Sequence, residues 1–192
     1  MDVLKFAISS HKDFIDRTYP ILIPSLIRSG VDPASIHIFV GGYDGQKTLV
    51  TEEGVNLFHV DHNSMDFTAL ISVLELGLQS DYWFLLHDTC KVGPNFFTSV
   101  DHLFCKNKPF HTARLYRKYS MNIGIYAHSY LLSQEKVLMS FKNSDYSEES
   151  LLKLKALAVE KEDILLEKEP ILNPSIKLKL ILRITTTPVL KG

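Results

Sequence analysis

Short, mainly apolar runs alternate with longer amphipathic segments over the first half of the chain. Each run is closed by polar or turn-forming residues, a pattern that predicts a buried β-strand. The runs are Val3–Ile8, Ile36–Val40, Val55–Val60 and Tyr82–Leu86. The last run is apolar throughout, which is typical of a central strand covered on both faces.

Three segments between or after these runs carry helical signals: 13–29, 66–79 and 94–104. The first segment is followed by Gly30, a natural C-terminal cap, and contains two prolines. Because proline suits the first turn of a helix, we expect this helix to begin near Pro20 or Pro24. The second segment has apolar residues at helical spacing, and proline begins the third.

The pattern is less regular in the later part of the chain. The predicted elements there are strands at Phe110–Tyr116 and Met121–His128, a helix over Ser129–Phe141, and a tail strand at Ile176–Ile184. A capping-box pattern, Asp145-x-x-Glu148, predicts one more helix that begins at about Glu148.

Strands and helices in this order predict an α/β protein, a single Rossmann-like domain with a mostly parallel central sheet flanked by helices. No repeat, low-complexity tract or flexible linker divides the sequence, so we expect one domain over residues 1–192. Parallel sheets bind ligands beyond the carboxyl ends of their strands. The residues at those ends are Ser9 to His11, Gly41 to Asp44, Asp61 and His62, and His87, Asp88 and Cys90.

Composition narrows the classes of function. Of the 192 residues, 45% are hydrophobic, and 21 Lys and Arg nearly balance 22 Asp and Glu. The chain therefore lacks the basic excess expected of a nucleic-acid-binding protein. Two cysteines, Cys90 and Cys105, exclude a disulfide framework and favour a reduced, cytoplasmic protein. The sequence has no signal-peptide pattern and no apolar run of membrane-spanning length, so we expect no transmembrane segment.

Several catalytic motifs are absent from the sequence. It contains no G-x-x-x-x-G-K-[ST] phosphate loop, no G-x-G-x-x-G dinucleotide fingerprint and no H-E-x-x-H zinc motif. The G-x-S-x-G nucleophile elbow is also missing. The strand ends are therefore the best place to look for chemistry.

Asp88 directly follows the apolar fourth strand and precedes a helix that begins with proline. A carboxylate in that position would be poorly solvated, and a bound cation would relieve the cost. Hard cations in nucleotide sites are held by one or two carboxylates together with phosphate oxygens. The alternative interpretation is that Asp88 caps the turn that follows it.

Four parts of the sequence are together similar to one enzyme family: Leu86-His87-Asp88-Thr89-Cys90 with Pro94-Asn95-Phe96, Met121-Asn122-Ile123-Gly124-Ile125-Tyr126, Lys161-Glu162-Asp163-Ile164-Leu165, and Pro24 to Asp32 with the strand Ile36–Val40. Their order and spacing over residues 3–168 resemble the nucleotide-sugar glycosyltransferases of the GT-A fold. The resemblance divides the chain into a nucleotide-binding part, about 1–105, and an acceptor-side part, about 106–192.

The resemblance implies transfer of a sugar from a nucleotide-diphosphate sugar, UDP-linked, to a hydroxyl group of a glycan or glycoconjugate, with inversion. Asp88 would bind the diphosphate and the metal cofactor, Mn²⁺ or Mg²⁺. Asp163, with Glu162 beside it, would be the catalytic base. The residues that bind the nucleotide sugar would be Ser9, Ser10, Tyr43, Asp44, Asp66, His87, Asp88, Asn122 and Gly124.

The chain departs from the family's D-x-D motif. Cys90 stands where a second acid would follow Asp88, and Leu86 stands where a first acid would precede it. A thiol is a soft ligand that suits Mg²⁺ and Mn²⁺ poorly. The family often supplies a late histidine to the metal, and none follows His128. The chain is also short for the family, so further domains of a longer chain are expected partners.

The helix predicted from Glu148 bears on the proposed base. If it ran unbroken to Lys168, Glu162 would fall within an apolar stripe, where a charged residue is rarely buried without a partner. Either the helix breaks near Glu160 and places Glu162 and Asp163 at a helix N-terminus, or Glu162 faces a polar cleft. A solvated run of Lys and Glu is the alternative.

Two other classes of function stay open. A nucleotidyltransferase usually carries a glycine-rich basic loop after its first strand, whereas this chain has Ser9-Ser10-His11-Lys12 there. The incomplete D-x-D motif also allows a catalytically degenerate module that binds glycans or protein partners. The cationic residues Arg114, Arg117 and Lys118 are candidates to neutralise a diphosphate, or they form a solvated basic turn.

Overall fold

The computed structural model describes residues 3–107, 111–114, 123–160 and 165. Within these residues the chain forms a seven-stranded sheet with helices on both faces, which places the protein in the α/β class. The strands are β1 (Leu4–His11), β2 (Ile36–Gly41), β3 (Lys47–Val50), β4 (Asn56–His59), β5 (Tyr82–His87), β6 (Thr112–Arg114) and β7 (Gly124–Ala127).

The sheet is mixed. Its strand order is β3-β4-β2-β1-β5-β7-β6. Strands β4, β2, β1 and β5 run parallel, whereas β3 pairs antiparallel with β4, and β7 pairs antiparallel with both β5 and β6. The prediction of a mostly parallel sheet therefore holds for the four inner strands, and the outer strands make the sheet partly antiparallel.

The described helices are α1 (Ile15–Arg28), α2 (Thr68–Glu75), α3 (Phe96–Asn107), α4 (His128–Ser133), α5 (Glu135–Met139) and α6 (Glu148–Glu160). One hydrophobic cluster joins Leu26 of α1 and Val100 of α3 to Phe84 of β5. The other joins Leu70 of α2 to Leu85. Because successive side chains of a strand point to opposite faces, neighbouring residues of β5 belong to different cores.

The first helix begins earlier than predicted. It contains Pro20 and Pro24 instead of starting at one of them. Each proline removes one backbone donor from the helix. The helix nevertheless extends through both, because its apolar face is buried against the sheet, with Leu22 and Leu26 at most 1% exposed. Packing of an amphipathic face supplies most of the stability of such a helix.

Other predicted elements are present with shifted ends. The single helix expected over residues 129–141 is two short helices, α4 and α5, which meet at Gln134. Strand β3 was not predicted, because it is short and largely exposed and has no apolar face to mark it. The strand expected at Ile176–Ile184 lies outside the described residues. None of the described helices is both long enough and apolar enough to cross a membrane.

Candidate functional site

An open cleft of about 390 Å³ lies at the carboxyl ends of β1 and β5. These two strands are parallel, with Ser9 opposite His87, so the polar residues that follow them meet at one edge of the sheet. The polar lining consists of Ser9, Ser10, His11, Asp13, Asn63, Asp66, His87, Asp88 and Thr89. The apolar lining consists of Phe14, Met65 and Leu151.

Two hydroxyl groups hold the Asp88 carboxylate in one orientation. The Ser10 hydroxyl donates a hydrogen bond to Asp88 Oδ2 at 2.5 Å, and the Thr18 hydroxyl of α1 donates to the same oxygen at 3.1 Å. The Asp88 N–H donates to the Ser9 carbonyl oxygen at 3.3 Å. No donor from the described residues reaches Oδ1, so this oxygen is available to a ligand.

The Ser9 hydroxyl connects the first strand to the start of α2. It donates a hydrogen bond to the Asp66 carbonyl oxygen at 3.0 Å and accepts one from the Ala69 N–H at 3.0 Å. Both bonds are made to backbone atoms, so the Ser9 hydroxyl ties the end of β1 to the segment that carries Asp66.

His87, the last residue of β5, lines the cleft opposite Asp66. Its side chain is 10% exposed, and its Nε2 atom lies 3.7 Å from Asp66 Oδ1. That distance is too long for a hydrogen bond, which is formed at about 2.7–3.2 Å. Within the described part of the chain, Nε2 of His87 is buried and has no hydrogen-bond partner.

The loop that carries Asp66 into the cleft is held by a buried histidine. His62 is completely buried, with Nδ1 at 2.9 Å from Ser64 Oγ and Nε2 at 3.1 Å from Ser72 Oγ. Burial lowers the pKa of His62, and the carboxylate of Glu75 opposes this shift. The imidazole is therefore neutral and bonded on both sides, and it ties the loop to α2.

A second set of bonds ties the same loop to α6. The Asn63 N–H donates to the Asn143 carbonyl oxygen at 2.8 Å, and the Asn143 N–H donates to Ser64 Oγ at 3.1 Å. The Ser150 hydroxyl of α6 donates to Asn143 Oδ1 at 3.0 Å. These bonds place Leu151 of α6 in the cleft wall.

His11 lies at the other end of the cleft beside a glycine. Its Nδ1 atom is 3.3 Å from Asp13 Oδ2 and accepts a hydrogen bond from the Asp13 N–H at 3.3 Å. Burial lowers the pKa of His11, and Asp13 partly opposes the shift. Gly42 has a φ of +92°, and a Cβ atom there would collide with His11 Nε2. The positive φ favours glycine at this position, and the His11 ring occupies the space that a side chain would need.

Cys90 does not complete an acidic pair with Asp88. Its side chain is 1% exposed and belongs to the hydrophobic core. Burial raises the pKa of the Cys90 thiol to about 11, so the thiolate that a metal would need is not formed near neutral pH. The described residues contain no group of three His, Cys, Asp or Glu side chains arranged to hold a metal ion.

Three of the predicted nucleotide-sugar-binding residues lie outside this cleft lining. Tyr43 stacks on His59, with ring centroids 3.8 Å apart, in a second cavity of about 340 Å³ between α1 and the β3–β4 side of the sheet. Asp44 is exposed in the turn after β2. Gly124 begins β7 opposite Leu85, at the same edge of the sheet as the cleft.

The residues predicted for acceptor chemistry cannot be placed. Asn122, Glu162 and Asp163 lie outside the described residues, as do Arg117 and Lys118. What the structure does describe is the helix that precedes the two acids. α6 is described as far as Glu160, and residue 165 lies in a turn.

Sequence reasoning did not single out several residues at the cleft: Asp13, Phe14, Asn63, Met65 and Leu151 line it, and Thr18 contacts the Asp88 carboxylate. Thr18 lies on α1, 70 residues away in sequence from the Asp88 carboxylate that it contacts. Phe14 is the residue before α1 and is 51% exposed at the cleft rim, and Leu151 reaches the cleft from α6.

No protein-family model and no curated protein matches the chain. What the molecule does must therefore be argued from its own cleft.

Proposed function

We propose that the protein is a cytoplasmic glycosyltransferase with a GT-A-type domain. It would transfer a sugar from a nucleotide-diphosphate sugar, UDP-linked, to a hydroxyl group of a glycan or glycoconjugate, with inversion. The observation that carries the proposal is Asp88, which follows a parallel inner strand and lines an open cleft. Its Oδ1 atom has no partner among the described residues. The order of the glycosyltransferase-like segments in the sequence supports the same proposal.

The leaving diphosphate gains negative charge as its bond to the sugar breaks. When bound, a divalent cation, Mn²⁺ or Mg²⁺, would neutralise that charge. Asp88 would offer Oδ1 to the cation, while Ser10 and Thr18 keep the carboxylate oriented through Oδ2. In a nucleotide site, one carboxylate from the protein is enough to hold a hard cation when phosphate oxygens of the nucleotide supply further ligands.

The acceptor hydroxyl must give up its proton to a base during transfer. We assign this role to Asp163, with Glu162 beside it. Both residues follow α6 in the sequence, and α6 contributes Leu151 to the cleft wall. Gly124, the first residue of β7, and Asn122, two positions before it in the sequence, are proposed to contact the donor and acceptor.

The first test is the thermal stability of the full chain with UDP, GDP or CDP, each with Mn²⁺ or with EDTA. A ligand that binds only the native state stabilises it by about 2.7 kcal/mol at a hundredfold excess over its Kd. For a chain of this size that raises the Tm by roughly 5 to 10 °C. We expect a selective shift with UDP that Mn²⁺ increases. The absence of a shift with all three nucleotides would contradict the proposal.

A matched pair of variants locates the binding in the cleft. Asp88→Asn keeps the shape of the side chain and removes its charge, so we expect it to abolish the Mn²⁺-dependent part of the shift. Asp101→Asn makes the same change at an exposed position of α3 and should leave the shift intact. Equal shifts in both variants would show that nucleotide binds elsewhere.

A catalytically degenerate binding module is the second candidate. The observation that favours it is Cys90, which faces the core and leaves Asp88 without the second acid of a D-x-D motif. Release of UDP from UDP-glucose, UDP-galactose or UDP-N-acetylglucosamine, measured with glycan acceptors and with water alone, separates the two candidates. Nucleotide binding without any release of UDP would favour the binding module.

A further inference from the structure

One buried polar atom in the cleft has no hydrogen-bond partner within the described residues. His87 Nε2 is buried, and the side chain that carries it is only 10% exposed. A buried polar group without a hydrogen bond costs free energy, so such an atom at a ligand cleft indicates a missing partner. Asp66 Oδ1, 3.7 Å away, is the nearest acidic oxygen but is too far to serve as that partner.

The pair has the chemistry to hold one hydroxyl group. In the tautomer that carries its proton on Nε2 the imidazole is a donor, and the Asp66 carboxylate is an acceptor. A hydroxyl oxygen can accept from the first and donate to the second at the same time. Two hydrogen bonds of about 2.8 Å span up to about 5.6 Å, so the observed 3.7 Å allows one oxygen to bond both atoms. Because Nε2 is buried, the Asp66 side chain, which is 34% exposed, must turn aside for the hydroxyl to enter.

The charge of the cleft disfavours a phosphate at this position. The described lining includes the carboxylates of Asp13, Asp66 and Asp88 but no Lys or Arg side chain. A phosphate oxygen at His87 Nε2 would lie beside the Asp66 carboxylate and could not donate a hydrogen bond to it. A neutral hydroxyl satisfies both groups without this repulsion.

We propose that His87 and Asp66 together bind a secondary hydroxyl of a sugar ring. This inference rests on the proposed function, and it names the chemical group of the nucleotide sugar that the two residues recognise. Two parts of a nucleotide sugar carry such hydroxyls, the ribose of the nucleotide and the sugar that is transferred. His87 is therefore a binding residue for a hydroxyl and not for the diphosphate.

The test compares affinities by calorimetry in the full chain. The probes are UDP, 2′-deoxy-UDP, 3′-deoxy-UDP, UDP-glucose, UDP-galactose and UDP-N-acetylglucosamine, each with Mn²⁺. If the pair binds ribose, one deoxy probe will bind about tenfold or more weakly than UDP to the natural protein. If it binds the transferred sugar, at least one sugar-bearing probe will bind more tightly than UDP.

Three variants test whether His87 and Asp66 cause the difference in affinity between the probes. His87→Leu removes the donor, and Asp66→Asn removes the charged acceptor. In each variant, the probes that the natural protein binds with different affinities should bind with affinities within about twofold of each other. His87→Gln keeps an N–H close to the position of Nε2 and should retain part of the discrimination. His102→Leu, at an exposed position of α3, is the control.

If His87 had a purely structural role, His87→Leu would lower the Tm of the protein without ligand. Because Nε2 has no partner in the described protein, His87→Leu should not lower the Tm without ligand. Unchanged discrimination in His87→Leu would overturn the inference while leaving the proposed function in place. Binding of Mn²⁺ or Zn²⁺ alone that His87→Leu abolishes would overturn it in favour of a cation site. No binding of any probe to the natural protein would overturn both proposals.

Discussion

Gly42 shows how a single residue determines the geometry of the cleft. It combines a φ of +92° with close approach to the His11 imidazole. A side chain at this position would be strained by the backbone conformation and would also displace the ring. Either event would disturb the end of β1, where the polar lining of the cleft begins.

We predict that Gly42→Ala lowers the free energy of unfolding by at least about 1–2 kcal/mol, the cost of a non-glycine residue in this backbone region. The matched control is Gly45→Ala, because Gly45 lies in the same turn, does not have positive φ, and a methyl group added to it would meet no atom within 4 Å. Urea denaturation of both variants checks the prediction. Equal losses in the two variants would contradict it.

The sequence shows glycines at and after the end of β2 but not which neighbours they meet. A Cβ atom at Gly42 would meet the His11 ring, and one at Gly41 would meet the His62 carbonyl oxygen, and both neighbours are far away in sequence. Asp88 is a similar case, since its position after β5 was predictable while its bonds to Ser10 and Thr18 were not. Side-chain partners that depend on the packing of separate elements leave no local pattern.

Elements around the cleft depend on one another through the loop after β4. His62 is bonded to Ser64 in that loop and to Ser72 in α2. The Ser72 hydroxyl donates to the Thr68 carbonyl oxygen, so it accepts from the imidazole. Loss of either hydroxyl would leave a nitrogen of a fully buried ring without a partner.

We predict that Ser72→Ala destabilises the protein by about 1–3 kcal/mol, the cost of an unsatisfied buried polar group. Ser140→Ala is the control, since the Ser140 hydroxyl also donates to a backbone carbonyl oxygen but is exposed and bonds no imidazole. The Tm should fall by roughly 2–4 °C for each kcal/mol lost. If the Tm of Ser72→Ala lies within 1 °C of the Tm of the control, a difference of about 0.3 kcal/mol, the bond between Ser72 and His62 is not needed for stability.

At the level of elements, prediction succeeded where the chain is buried. The inner strands are apolar enough to be identified from sequence, and the cleft lies where their carboxyl ends meet. It failed for β3, which is exposed, and for the start of α1, where packing outweighed the prolines. The helix predicted from about Glu148 is confirmed as α6, although its capping residue is Ser147 and not Asp145, with Ser147 Oγ accepting from the Ser150 N–H.

Buried histidines make the stability of the whole molecule depend on pH. His37 is 6% exposed, and burial lowers its pKa to about 4. Burial also lowers the pKa values of His62 and His128. Below the ordinary histidine pKa of 6.5 the unfolded chain binds more protons than the folded one, so acid favours unfolding.

We predict that the free energy of unfolding falls as the pH is lowered from about 6.5 towards 4, with His37 contributing about 2 kcal/mol between pH 7 and 4.5. His37→Asn keeps a donor near Nδ1, which donates to the Ser35 carbonyl oxygen, and cannot titrate. It should flatten the pH dependence, whereas His102→Asn, which is exposed, should not. Urea denaturation at both pH values measures the difference, and parallel curves for the two variants would contradict the prediction.

The α/β class of the molecule was predictable because strand and helix signals alternate along the chain. The mixed character of the sheet was not, since β6 and β7 are short and each could have joined either edge. Sequence order alone does not say where a late strand inserts. β7 in fact pairs with β5 and closes the side of the sheet next to the cleft.

The position of β1 between β2 and β5 has a consequence for how the protein is made. β1 is synthesised first, yet one of its two neighbours is completed only at residue 87. The Ser10–Asp88 bond joins residues 78 positions apart, so the cleft cannot exist on a nascent chain until β5 has left the ribosome. Until then one edge of β1 is open, and such an edge readily pairs with another chain. Ligand binding is thus a property of the finished sheet, and early fragments are the species most prone to aggregate.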